Sequence, residues 1–244
     1  MIKNLVLIFQ KIIDFLFPPV CPICKNSVSQ HGTMCHECWG KFNWISDPKC
    51  YICGYPFPAN LDLGDYPMCP VCANGKNKLD WLRSACVYDD FSKDIMLSFK
   101  HAGQIQYQKI MSRAMIMALQ EINEKIDIVI PVPLSNRRLF KRGYNQATLL
   151  AYPIKNYFGA VLDVNSVTRK HRPDMGHKNE RQRKENIRGV FSIVHPEKIY
   201  GKTILLVDDV MTTGATLAEL NRVLKKAGAK SVMGITFCRV VRAI

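Results

Sequence analysis

No apolar run in this sequence is long and unbroken enough to cross a bilayer. The most hydrophobic stretch, MIKNLVLIFQKIIDFLFPP at the start, is interrupted by Gln10, Lys11 and Asp14, whereas a spanning helix needs about 20 predominantly apolar residues. The small-residue cleavage site of an export signal is missing as well. Ile2, Leu5, Val6, Phe9, Ile12, Ile13, Leu16 and Phe17 instead recur at helical spacing ahead of Pro18 and Pro19, which predicts an amphipathic helix. Its stripe either packs on the chain itself or rests reversibly on a partner or a membrane surface. Without an export signal the expected location is the cytoplasm, where thiols stay reduced and paired cysteines hold metal more often than they form disulfides.

Acids are scarce. Twenty Asp and Glu against 34 Lys and Arg leave a net charge of +14 and a pI near 9.4. That excess predicts attraction to polyanions, whether nucleic acid, phosphorylated small molecules or an anionic membrane, and by itself selects none of them. Cysteine is nearly absent after residue 72, where only Cys86 and Cys238 remain, both in strand-like apolar runs that suit buried fillers. The other eight of the ten cysteines lie between Cys21 and Cys72. In a chain of 244 residues this asymmetry predicts two domains, residues 1–80 and 81–244.

The N-terminal cysteines come in C-x-x-C pairs: Cys21 and Cys24, Cys35 and Cys38, Cys50 and Cys53, Cys69 and Cys72. Each pair points two sulfurs at one spot, and two pairs complete the tetrahedron that Zn²⁺ accepts, so four pairs predict two zinc sites. A redox centre needs one such pair, not four in series. Pairing neighbours in sequence keeps each loop short and is preferred on that ground, although spacing alone leaves interleaved pairing open. With four sulfurs per metal no position remains for water, so the zinc is structural, and His31 and His36 read as surface histidines. Two Zn-Cys₄ sites lower the net charge to about +10, still basic. The aromatics around the knuckles, Trp39, Phe42, Trp44, Tyr51, Tyr55, Phe57 and Tyr66, serve either as core or as a stacking surface for single-stranded bases.

From Trp81 onward short apolar runs alternate with helical patterns. SACVYDDF, IDIVIPVP, GVFSIV, KTILLVDDV and SVMGITFCRV read as strands, with helices near Lys93 to His101, Gln104 to Glu124 and Ala215 to Ala227. NQATLLAYPIKNYFG reads as a helix that Pro153 should kink or end. The alternation predicts an α/β fold, a mostly parallel sheet flanked by helices, with ligands at the carboxyl ends of its strands.

One such end carries Asp208, Asp209 and then Thr212, Thr213, Gly214, Ala215 and Thr216. A strand-to-helix turn of this kind offers free backbone N–H groups, threonine hydroxyls and a helix dipole to one phosphate. Neither the Gly-x-x-x-x-Gly-Lys-Ser/Thr of a nucleotide P-loop nor the Gly-x-Gly-x-x-Gly of a dinucleotide fold is present there. Ionised carboxylates would repel that phosphate and can only accept hydrogen bonds, so they should address a vicinal diol on the same ligand. The chemistry implied is a sugar phosphate.

LLVDDVMTTGAT resembles the phosphoribosyl pyrophosphate (PRPP) loop of type I phosphoribosyltransferases. Together with PVPLSNRRLFKRGYNQA, KENIRGVF and the cysteine array, nearly the whole chain is similar to the ComF (ComFC) family, competence-associated proteins with an N-terminal double zinc ribbon. The resemblance implies that Asp208 and Asp209 hold the ribose diol and that Thr212 to Thr216 hold the 5′-phosphate. It also implies that the basic loop with Arg137, Arg138, Lys141 and Arg142 faces the pyrophosphate and its Mg²⁺, with Lys100 of SFKHAG a further member of the site. Thr168 to Arg188, which contains Arg183 and Asn186, resembles the loop that closes over PRPP; Arg172-Pro-Asp-Met175 replaces the family's Thr-x-x-Gln. The 6-oxopurine salvage enzymes of this fold carry an aspartate where this chain has Thr212, which argues against hypoxanthine or guanine as acceptor. Two functions fit: a PRPP- and single-stranded-DNA-binding protein of DNA uptake, working with a helicase or other uptake proteins, or an active pentosyltransferase that releases pyrophosphate.

Overall fold

A computed structural model of the chain describes residues 14–61, 63–75, 79–101, 104–170 and 187–241. The stripe from Ile2 to Ile13 and most of the Thr168 to Arg188 segment, including Arg183 and Asn186, lie outside the described residues.

The apolar runs become a five-stranded parallel sheet. β1 (Trp81–Val87), β2 (Ile128–Pro131), β3 (Val161–Leu162), β6 (Thr203–Met211) and β7 (Ser231–Arg239) lie in the order β1-β7-β6-β2-β3. A separate antiparallel hairpin joins β4 (Val167–Arg169) to β5 (Phe191–Ile193). Ile204 to Val207 of β6 form an uninterrupted apolar run because both faces of the strand are covered there. Leu205 and Val207 enter the core made with α4 (Tyr107–Ala118) and α6 (Gln146–Phe158), while Ile204 and Leu206 pack with Leu217, Leu220 and Leu224 of α8 (Ala215–Lys226). The remaining helices among the described residues are α1 (His36–Gly40), α2 (Pro70–Ala73), α3 (Asp90–His101), α5 (Asn136–Arg142) and α7 (Pro196–Ile199).

Pro153 neither ends nor divides α6, which runs through it to Phe158. Proline has no N–H to give to the carbonyl four residues back, that of Leu149. That carbonyl accepts instead from the Gln108 side-chain amide on α4 at 3.0 Å. A neighbouring helix therefore supplies the missing bond, which sequence pattern alone cannot foresee.

The cysteine-rich segment packs against the sheet at its β1 edge. Ile45 N–H donates to Ala85 O at 3.0 Å, Val87 N–H to Asn43 O at 2.8 Å and Leu82 N–H to Ile52 O at 2.9 Å. Phe42 enters the core beside Phe91 and Phe237, with ring centroids 5.0 and 5.8 Å away. Arg83 lies over the Trp81 ring at 4.2 Å, donates to Glu121 at 2.9 Å and reaches the Tyr51 carbonyl at 3.1 Å. The contacts tie the knuckles to both faces of the sheet.

Candidate functional site

The two acids stand at the carboxyl end of β6, as the alternating pattern predicts. Each is locked to local backbone: Asp208 Oδ1 accepts from Asp209 N–H at 2.9 Å, and Asp209 Oδ1 from Val210 N–H at 2.6 Å. Beyond Met211 the chain turns through Thr212, Thr213 and Gly214 into α8. Gly214 caps that helix at φ +71°, in left-handed territory. A β-carbon there would meet only the Met211 sulfur at an ordinary 3.6 Å, so the conformation, not crowding, requires glycine. The Thr213 hydroxyl accepts from Ala215 N–H at 3.4 Å, and the first N–H groups of α8 face the same turn.

Burial, and next the charge of Asp209, push the Asp208 carboxyl up from 3.8 to about 7. Nearby Lys100 and Arg169 oppose that rise. The expectation of two fully ionised acceptors is therefore modified: near neutral pH, Asp208 retains a proton part of the time and can donate as well as accept. Because the folded value exceeds the unfolded one, the fold favours the protonated acid. The destabilisation from ionised Asp208 is absent below about pH 4, grows as the pH rises and is complete above about pH 7. Asp208→Asn is expected to be more stable than the wild type at pH 8, by on the order of 4 kcal/mol at most, and so to melt higher, with the difference vanishing toward pH 4. Equal melting shifts at both pH values in a thermal unfolding series would contradict this account.

Lys100, at the end of α3, places its ammonium 2.7 Å from Asp209 Oδ2. The GYNQ stretch holds it in place. Tyr144 OH donates to the Phe99 carbonyl, Gln146 Nε2 to the Lys100 carbonyl at 3.4 Å, and Asn145 Nδ2 to the Val132 carbonyl at 3.1 Å. The expected basic loop is the short helix α5, ended by Gly143 at φ +77°. Arg137 and Lys141 are exposed on it, Arg138 and Arg142 half-buried, and Arg142 donates to Gln146 Oε1 at 3.1 Å. Since β2 and β6 are parallel neighbours with Pro131 beside Val207, α5 and the acids leave the same carboxyl end of the sheet. The structure thus brings together Asp208, Asp209, Lys100 and the Thr-Gly turn, with the arginines on the adjoining connection. Sequence reasoning missed the direct Lys100 to Asp209 pair, the anchoring role of Tyr144 and Gln146, and Arg169. GYNQ was visible as a motif, but nothing in its spacing named a role.

The cysteines gather as neighbouring pairs. Cys21, Cys24, Cys35 and Cys38 form one tetrad and Cys50, Cys53, Cys69 and Cys72 the other, with sulfurs within 4.8 Å of one another. Cys24 and Cys35 sulfurs are 3.4 Å apart and those of Cys53 and Cys69 3.6 Å, close to the ~3.8 Å edge of a tetrahedron with Zn–S bonds of ~2.3 Å. Backbone N–H groups point at the sulfurs, Cys38 to Cys35 at 3.5 Å and Cys69 to Cys50 at 3.4 Å, as suits thiolates. Hydrogen bonding with Cys53 draws the Cys50 thiol down to about 4 and pushes Cys53 up. The donor sets fit Zn²⁺. His31 is paired with Asp14 at 3.1 Å and lies outside the tetrads. Phe42 and Trp44 pack into the core, whereas Tyr51 and Tyr66 meet edge-on at 4.9 Å and stay more than half exposed.

A cavity of about 680 Å³ lies at the opposite end of the sheet, among Lys49, Tyr51, Trp81, Arg83, Glu121 and Met233. Its two cations are already paired with Glu121, at 2.7 and 2.9 Å, so it offers no cation for an anionic ligand.

A family model described as phosphoribosyl transferase domain matches residues 101–242, and one described as double zinc ribbon domain matches residues 12–73. Curated relatives span nearly the whole chain. Competence protein F of Haemophilus influenzae is 29% identical over 223 residues, covering 87% of this chain and 93% of that protein. Competence protein ComFC of Bacillus subtilis is 28% identical, covering 90% and 95%, and DNA utilization protein YhgH of Escherichia coli strain K12 is 26% identical, covering 91% of each. Among solved structures, the purine phosphoribosyltransferase of Pyrococcus horikoshii Ot3 aligns at 21% identity over 54% of this chain and 81% of its own, with a TM-score of 0.34.

Proposed function

This chain belongs to the phosphoribosyl transferase domain family, in its ComF form with an N-terminal double zinc ribbon, and from that premise we propose that it binds PRPP with Mg²⁺ and single-stranded DNA in DNA uptake. The observation that carries the reading is the acid pair at the end of β6, one turn before a glycine-capped helix N-terminus. Asp208 and Asp209 take the ribose 2′,3′-diol, and the turn Thr212 to Thr216 takes the 5′-phosphate. Arg138, Arg142 and Lys100 flank the pyrophosphate; Arg183, outside the described residues, is the catalytic candidate on the segment that resembles the PRPP-closing loop. Mg²⁺ would arrive on the pyrophosphate oxygens and neutralise part of their charge; carboxylates and phosphates are the hard oxygen donors it prefers.

A role with DNA is supported by the names of the relatives, by the net charge of +14 and by exposed Tyr51 and Tyr66 on the second knuckle. In this reading the protein works in the cytoplasm with a helicase or other uptake proteins. Strand binding should be electrostatic. Neutralising about four phosphates predicts an affinity loss of about 50-fold between about 50 and about 200 mM salt, measured by anisotropy of a labelled oligonucleotide. Salt-insensitive or undetectable strand binding would remove DNA from the proposal.

The second reading is an active pentosyltransferase, favoured by Lys100 and the α5 cations on the side where a leaving group would collect. Thr212 stands where the 6-oxopurine salvage enzymes of the resembled fold carry an aspartate, which argues against hypoxanthine or guanine as the acceptor. Pyrophosphate release from PRPP above background with any acceptor would establish turnover; background release with all of them would leave binding as the function.

A further inference from the structure

We propose that Lys100 is the resident counter-ion of the ribose-binding acid. It holds Asp209 in the ligand-free site, gives the carboxylate up when PRPP binds, and so makes the site prefer PRPP over ribose phosphates that lack a pyrophosphate. The inference rests on the PRPP reading above and names what discriminates among ligands at that site.

The geometry has two parts. At the acid, Asp209 Oδ1 is taken by Val210 N–H, and the ammonium sits 2.7 Å from Oδ2, the oxygen left for a ligand. Both side chains are largely withdrawn from water, 20% exposed for Lys100 and 13% for Asp209, so screening does little to weaken the pair. A diol that approaches Oδ2 therefore competes there with a desolvated cation, and a ligand that offers the cation a new partner gains from it. At the other part, the Lys100 backbone carbonyl is held by Gln146, and among the described residues the ammonium is held only by its pair with Asp209. Gln146 donates to the Lys100 carbonyl and accepts from Arg142, so one amide ties the lysine's anchor to a pyrophosphate-side guanidinium. The four-carbon stem can swing from that anchor by rotamer change alone. Pyrophosphate at C1 gives the ammonium an anion to receive it. Ribose 5-phosphate presents the same diol and 5′-phosphate and gives it none.

The test is calorimetry of the full-length, zinc-loaded chain with Mg²⁺ at pH 8, titrating PRPP and ribose 5-phosphate into the wild type, Lys100→Met and Lys100→Arg. PRPP affinity is expected to fall by about tenfold or more in Lys100→Met, one charge-assisted contact, while ribose 5-phosphate affinity holds or tightens. Lys100→Arg should keep the wild-type preference. A lysine that only braces Asp209 would weaken both ligands by the same factor in Lys100→Met, and a bystander would change neither; each result overturns the proposal. Absence of PRPP binding by the wild type would overturn the function itself, a separate outcome. Thermal melting and zinc content confirm folding, and Lys100→Gln replaces Lys100→Met if the latter does not fold.

Discussion

Asp208→Asn combined with Asp209→Asn is expected to abolish PRPP binding in a chain that still folds and still binds single strands. Both amides keep the oxygen that accepts the neighbouring backbone N–H, from Asp209 in one case and Val210 in the other, so the end of β6 retains its shape. At pH 8, above the titration of Asp208, what disappears is the charge that strengthens hydrogen bonds from a diol. Hydrogen bonds to charged groups contribute about 1.5–3 kcal/mol each, so losing two corresponds to about 10²–10⁴-fold in affinity. Calorimetry of the double variant beside the wild type measures this. PRPP affinity within about threefold of wild type would remove the acids from the site.

Removal of zinc is expected to lower the stability of the whole chain, not of the cysteine-rich segment alone. The second tetrad is fully buried and shares a core with Leu79, Leu82 and Ile204, while Arg239, the last residue of β7, donates to the Cys53 carbonyl. Structural zinc contributes about 10–16 kcal/mol in small zinc domains, comparable to the total stability of an ordinary domain. Chelation should therefore expose the β1 edge and both knuckle-facing cores. A graded comparison sharpens the prediction: Cys72→Ser, in the buried tetrad, should depress the melting temperature more than Cys24→Ser, whose thiol is exposed in the first tetrad. Metal analysis should return two zinc per chain, and a value well below two would overturn the assignment of the cysteines. Equal depression by the two serine variants would contradict the unequal coupling of the tetrads to the sheet.

The parts of the site that sequence makes legible are those written in consecutive residues. The acid pair, the Thr-Gly turn and the C-x-x-C knuckles each gather their chemistry within a few positions, so local spacing suffices. Contacts between distant segments are not legible in that way. Lys100 meets Asp209, Gln108 completes the helix around Pro153, and Arg83 bridges Glu121 to the Tyr51 carbonyl, each across a long stretch of chain. These depend on which faces of the sheet the helices cover, and α5 became helical where the sequence suggested only a basic loop. The raised pKa of Asp208 belongs to the same class, since burial and the approach of Asp209 arise only on folding.

The central claim is that the end of β6 is a PRPP site. Titrating PRPP with Mg²⁺ into the zinc-loaded chain, with and without single-stranded DNA, tests it most directly. The account predicts saturable binding of one PRPP per chain that is lost in the Asp208→Asn, Asp209→Asn double variant. No PRPP binding in either condition, by a chain with its full zinc content, would contradict it.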